Sequence, residues 1–234
     1  MKANLTFRLL SVGVIVFCLG HHMNAQNSLT AHAGFGSSNI EVRGTPFDPL
    51  INPYIQPIAQ YNAGIQYAHA LSRHFSVITG VQYASRGFAA REDFNVNVFG
   101  LDLPVGAEVV TRLAYVEVPV MAQVNITESG VSPYVKAGIS AGYAFNAKMK
   151  PQVNALITWS LPQININLKN DLFNRVDVAA LAGAGVSIPV ESLGALHFDL
   201  TYRHSLNDMF QDKITNIQIR SHGVTAGVGF TMNF

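Results

Sequence analysis

His204, Ser205 and Asp208 stand close together, and a hydroxyl beside an imidazole with a carboxylate nearby is the residue set of a nucleophilic hydrolase. Adjacent residues in an extended strand point to opposite faces, which works against contact between His204 and Ser205 unless the strand has already ended. A metal would need several imidazoles or carboxylates converging, and His32 and His197 are too few to make such a site. No cofactor or metal is expected. The residues that stand out are charges inside otherwise uncharged strand-like stretches: Arg86, Glu117, Lys136, Asp177, Asp199 and Arg203. Only 12% of the chain is charged while 49% is hydrophobic, so a charge in such a stretch needs a reason.

The stretches alternate with a period of two, the mark of a strand. At the end of the chain, Val224, Ala226, Val228, Phe230, Met232 and Phe234 share one face, and Gly223, Thr225, Gly227, Gly229, Thr231 and Asn233 share the other. Similar alternation over 28–36, 58–71, 75–86, 112–126, 133–148, 175–188 and 195–204 gives eight strands. Their connections alternate between long and short, the long ones at 37–57, 87–111, 149–174 and 205–221. An even strand number, one apolar face and long loops at one end describe an antiparallel up-and-down transmembrane β-barrel. The expected fold is therefore all-β and eight-stranded, with the long loops extracellular. Within the loops, 93–99 and 154–168 keep some alternation and are expected as strand hairpins above the membrane. A ten-strand barrel, with one of them inserted, is the alternative. The apolar stretch Leu156-Ile157-Thr158-Trp159 suits either a protein contact or a cover for the barrel mouth.

Carrying the inward phase along each strand places the six charges in the lumen, three of each sign. Arg86, Glu117, Asp177 and Arg203 fall at a similar upper level, with Lys136 and Asp199 lower. Buried charge is costly unless paired, so a neutral network plugging the barrel is expected, with Glu117 held by Arg86 or Arg203. The glycines of 34–36 and 183–185 read as small residues facing a narrow interior, since neither lies between a strand and a helix as a phosphate loop would. Outward Tyr61, Tyr67, Tyr83, Tyr143 and Tyr202 suit interfacial aromatic girdles.

The first residues carry Lys2 and Arg8, an apolar run from Leu9 to Leu19 and a small residue at Ala25, the pattern of a secretory signal peptide. Residues 1–25 are expected to be the signal, cut after Ala25, and 26–234 the barrel domain. Cys18, the one cysteine, falls in the signal. Of 15 basic residues, Lys2 and Arg8 leave with it, so 13 face 14 acidic residues and nothing favours nucleic acid.

The segment Leu113-Ala114-Tyr115-Val116-Glu117-Val118-Pro119-Val120 resembles the L-x-Y-[LV]-E-[IV]-P-[LV] strand of PorT-like outer-membrane barrels from Bacteroidetes-type bacteria. Pro133-Tyr134 with Gly138, the Asp177–Val186 stretch, Asp199–His204 and the glycine-rich end resemble the same family. The resemblance implies an outer-membrane β-barrel domain set in outer-membrane lipid, in a family with one member required for secretion across that membrane. The terminal strand, through Phe230 and Phe234, resembles the signal read by the barrel-assembly machinery. The expected role is structural or interactive, without catalysis, with a protein partner at the extracellular loops. A membrane-embedded hydrolase or lipid-modifying enzyme is the alternative.

Overall fold

The computed structural model describes residues 27–44, 48–98, 101–128, 130–154, 158–166, 168, 174–190, 193–210 and 218–233. The expected signal segment, Leu156-Ile157, the turn pair Glu191-Ser192 and Phe234 lie outside them. The strands are β1 (Asn27–Arg43), β2 (Ile55–Ala70), β3 (Phe75–Val98), β4 (Leu101–Asn125), β5 (Ser132–Asn154), β6 (Thr158–Ser160), β7 (Ile164–Asn165), β8 (Val176–Val190), β9 (Gly194–Ser205) and β10 (Gln218–Asn233). Among the described residues, helix is confined to single turns at Asp48–Ile51 and Asn52–Tyr54.

Eight strands close a ring. β1, β2, β3, β4 and β5 pair in succession, β5 pairs with β8, then β8, β9 and β10 follow, and β10 returns to β1, all antiparallel. The short β6 and β7 pair only with β5, above the point where β8 meets it, so they extend one wall and do not enlarge the ring. The ten-strand alternative is set aside on that pairing.

Alternation dictates which residues face out. Phe35, Ile65, Val81, Ile139 and Leu200 are each more than half exposed in mid-strand, on five different strands. An apolar belt around the whole ring is the surface of a transmembrane barrel, whose solvent there is lipid. Spanning needs only about 9–11 residues per strand, whereas β3 has 24 residues and β4 has 25. Their upper halves therefore rise beyond the belt as a continuous hairpin, paired up to Val98 and Leu101. The return from β5 is less regular than the expected second hairpin, with pairing only at Thr158–Ser160 and Ile164–Asn165.

Strands also run past their expected limits, β1 to Arg43 and β10 from Gln218. The reason is a change of phase. Above the belt Ile40 and Val42 point inward and are buried, while the alternating Asn39 and Glu41 face out. Outside is water there, so the apolar residues change face and the sequence pattern no longer continues that of the membrane segment.

Two local features adjust the walls. Pro119 lies within the ring, not at an edge, and the β3–β4 ladder is interrupted between Thr79↔Val120 and Gln82↔Glu117, where proline has no donor to offer. In β5, Phe145 is the extra residue of a bulge opposite Ala114 and Tyr115. At the short-turn end, Gly194 has φ of 137° and a β-carbon there would meet the Thr231 carbonyl at 1.9 Å, so only glycine fits.

Single cysteines test the orientation. Asn165→Cys, in the long connection, should react with a membrane-impermeant maleimide on intact cells. Ser72→Cys, in the β2–β3 turn, should react only after the outer membrane is permeabilised. Labelling in the opposite order would invert the barrel.

Candidate functional site

The lumen is layered, and its densest layer is made by four charges from four strands. Glu117 on β4 and Asp177 on β8 are both register partners of Gly142 on β5. With no side chain at Gly142, the two carboxylates face each other across β5, and an added β-carbon would lie 3.2 Å from Glu117 Cγ. Arg86 fills the space between them, donating from Nη1 to Glu117 and from Nη2 to Asp177. Arg203 donates from Nη2 to Asp177 and lies 3.7 Å from Glu117 Oε1. Two positive and two negative groups thus alternate in one buried cluster, Glu117 being 2% exposed and Arg86 3%. Charge-assisted hydrogen bonds of this kind offset the loss of hydration.

Neutral side chains complete the cluster. Gln82 Nε2 donates to Glu117 Oε2 at 2.8 Å. Arg203 Nη1 donates to the hydroxyls of Ser205 and Ser221, each at 3.1 Å. The Arg86 guanidinium carbon lies 3.8 Å from the centre of the Tyr115 ring, close enough for a cation–π contact.

Above the cluster the lumen is closed by apolar residues. Ile40, Ala84, Leu113, Tyr115 and Ala147 from the walls meet Leu168 and Met209 from two long connections. Hydrogen bonds hold those connections down. Arg175 Nε donates to the Leu168 carbonyl at 2.6 Å, and the Met209 amide donates to the Ile219 carbonyl at 2.8 Å. Asn207 Oδ1 accepts from the Val178 amide at 2.6 Å.

Below the cluster, past a cavity of about 50 Å³ lined by Gln60, Asn62 and Gln66, lies a second charged layer. Lys136 Nζ is 3.0 Å from Asp199 Oδ1, and Tyr134 Oη donates to Asp199 Oδ2 at 3.3 Å. Gly227 leaves room here, since a β-carbon would come within 2.5 Å of His32 Nε2 and 3.1 Å of Asp199 Oδ1. This layer floors a cavity of about 380 Å³ that is also lined by Arg73 and Glu128 of the short turns.

The six charges singled out in sequence thus occupy two places: Arg86, Glu117, Asp177 and Arg203 together, and Lys136 with Asp199 beneath them. Phe230 faces outward, opposite Ala31 and Leu196. The possible catalytic set comes apart. Ser205 is buried in the lumen with Arg203 and Ser221, His204 stacks on Tyr202 on the outer face, and Asp208 pairs with Arg220 at 3.1 Å. His32 Nε2 is 3.8 Å from Asp199, beyond hydrogen-bond reach, while His197 Nε2 is 2.7 Å from Thr231 Oγ1. Among the described residues no three metal-binding groups converge. Gln82, Tyr115 and Tyr134 were passed over in sequence, although each shares the inward phase of a singled-out charge on its own or a neighbouring strand.

Removing one partner of a buried pair typically costs about 3–5 kcal/mol. Glu117→Ala should therefore lower the unfolding temperature far more than Asp93→Ala, whose partner Arg91 is exposed. Glu117→Gln combined with Arg203→Gln keeps Arg86 with Asp177 and should recover part of the loss. Thermal melts in detergent read both, and equal melting of Glu117→Ala and Asp93→Ala would remove the stabilising role.

Comparison with characterised proteins gives no match. Among solved structures the chain is similar to Ail, the attachment invasion locus protein of Yersinia pestis, at 16% identity over 90% of this chain and 100% of that one, with a TM-score of 0.39. It is similar to Neisserial surface protein A at 14% identity over 86% and 96%, with a TM-score of 0.43. OprG from Pseudomonas aeruginosa matches at 12% identity over 89% and 96%, with a TM-score of 0.38. A ring of eight antiparallel strands, an apolar belt and a polar lumen agree with what the family comparison finds over residues 24–211: the chain belongs to the outer membrane protein beta-barrel domain family and resides in the bacterial outer membrane.

Proposed function

We propose that this barrel is a structural or interaction protein that engages a protein partner through its extracellular connections. The observation that carries this reading is the closed upper lumen. An apolar cap containing Leu168 and Met209 lies directly over a buried ion cluster, so the outer mouth offers a solid surface. Eight strands leave an interior that side chains can fill. The same end presents apolar groups to solvent, with Leu50, Ile51 and Tyr54 all well exposed on the β1–β2 connection. That connection is tied to the wall, since Asn52 exchanges hydrogen bonds with the Val42 amide and carbonyl at 3.1 and 3.0 Å. A preformed apolar surface loses little entropy on docking.

Photo-crosslinking residues placed at Leu50 and Ile51 in cells should give a discrete protein adduct, while one at lipid-facing Val81 should not. Steady ion conductance in planar bilayers, combined with no adduct at either loop position, would overturn this reading in favour of a pore.

On the resemblance of Leu113–Val120 to PorT-like barrels, we extend the proposal to an assembly linked to secretion across the outer membrane. Its support is that strand segment alone. Deleting the gene in the source bacterium should deplete specific proteins from the culture medium, and an unchanged set of exported proteins would confine the role to the loops.

A further inference from the structure

The described lysines and arginines divide sharply by partner. Arg43, Arg73, Arg91 and Arg220 on the outside, and Arg86, Lys136 and Arg203 in the lumen, each lie within ion-pair distance of a carboxylate. Arg112, Lys148, Lys150 and Arg175 form no such pair among the described residues, and they are gathered on one side of the barrel. Arg112 on β4 and Lys148 on β5 are direct register partners, and Lys150 is the next residue up on the same face of β5. Arg175 precedes β8 and donates from Nη1 to Tyr143 Oη at 3.0 Å. Like charges directly opposite on one face destabilise a sheet, and the register places one acid of the wall nearby, Glu108, diagonal to Lys150 at the far edge of the patch. Arg112 is held instead by the Ala59 carbonyl at 2.9 Å, with its guanidinium carbon 5.7 Å from the centre of the Tyr61 ring.

Their height relative to the apolar belt bears on what they meet outside the protein. The outward residues of β4 from Val124 to Ala114 are all valine or alanine. Ten steps of about 3.3 Å, inclined by about 40°, make a belt roughly 25 Å tall, the thickness such a barrel presents to lipid. Arg112 is the next outward residue, so it stands at headgroup level. Below the cations sits an aromatic platform, with Tyr61 and Tyr83 6.1 Å apart and Tyr83 and Phe145 also 6.1 Å apart.

We propose that Arg112, Lys148, Lys150 and Arg175 bind the phosphates of a phosphorylated glycolipid of the outer leaflet, lipid A in chemistry, whose acyl chains lie along the belt beneath. Guanidinium and ammonium groups both recognise phosphate. The patch faces sideways over the belt and not upward from the mouth, which favours a lipid over a soluble polyanion. The role is separate from the loop contacts, so either can fail without the other.

Purified full-length barrel in detergent, titrated with bis-phosphorylated lipid A and with the same lipid dephosphorylated, tests this by native mass spectrometry. The phosphorylated form should bind about tenfold more tightly, and Lys148→Gln with Lys150→Gln should erase that preference, as loss of complementary charge implies. Arg220→Gln, a paired cation elsewhere on the rim, should leave it intact. Heat-modifiable gel migration shows that each variant is folded. Equal binding of the two lipids, unchanged preference in the folded double variant, or binding of a soluble sulfated glycan in place of the lipid would overturn the assignment.

Discussion

A guanidinium buried in the lumen of an eight-stranded barrel cannot turn to water, and Arg86 between Glu117 and Asp177 sets the terms for its surroundings. Its position requires two carboxylates on strands that are not neighbours. That in turn requires the intervening strand to carry nothing at the same level, which Gly142 provides. The second carboxylate requires a second cation, Arg203, whose remaining donors require the hydroxyls of Ser205 and Ser221. Each member answers a charge or donor left over by the one before it. Such a cluster is worth little while incomplete and much when complete, because low local dielectric magnifies both the attraction and the cost of an unpaired group.

The cluster also divides the molecule into two hydrophobic regimes. Below it, apolar side chains face out to lipid and the inward positions are mainly polar, apart from a small apolar cluster of Ile78, Met121 and Leu181. Above it the strands leave the membrane, water is outside, and the apolar groups turn inward as Ile40, Val42, Leu113 and Leu168. A single strand such as β1 therefore carries both patterns in succession: Ala31, Ala33 and Phe35 outward, then Ile40 and Val42 inward. The upper barrel is a small soluble β-protein built on a membrane one. Its apolar core packs directly over the ion cluster.

This division explains what could be read from the sequence. Strand number, pairing order and the lumenal position of each singled-out charge follow from alternation, since within the membrane one face meets lipid everywhere. The upper limits of β1 and β10 do not follow, because the apolar phase reverses at Ser38 and Ile40 and the eye reads a loop. Leu113 and Tyr115 share the inward parity of Glu117 on β4, but parity alone does not show that they close an apolar layer above it. Leu168 and Met209 come from connections with no period at all, and only their contacts reveal them as the cap. Ser205 and His204 were legible by the same rule: side by side they suggest chemistry, but alternation sends them to opposite faces, Ser205 into the lumen and His204 outward.

The upper lumen is packed with the apolar cluster around Leu113, Leu168 and Met209. The inner end differs, with a polar cavity floored by Lys136 and Asp199. Rigidity follows from the layering. β3, β4 and β5 run without a break in hydrogen bonding from the short turns to well above the belt, save the ladder gap at Pro119 and the bulge at Phe145. The ion cluster braces the walls from within, linking β3 and β4 to β8 and β9 across β5. A loop mounted on walls of this kind keeps its position relative to the membrane, and a charge on them, such as Arg112, keeps its height. Fixed placement of surface groups at a membrane boundary is therefore what the interior architecture secures.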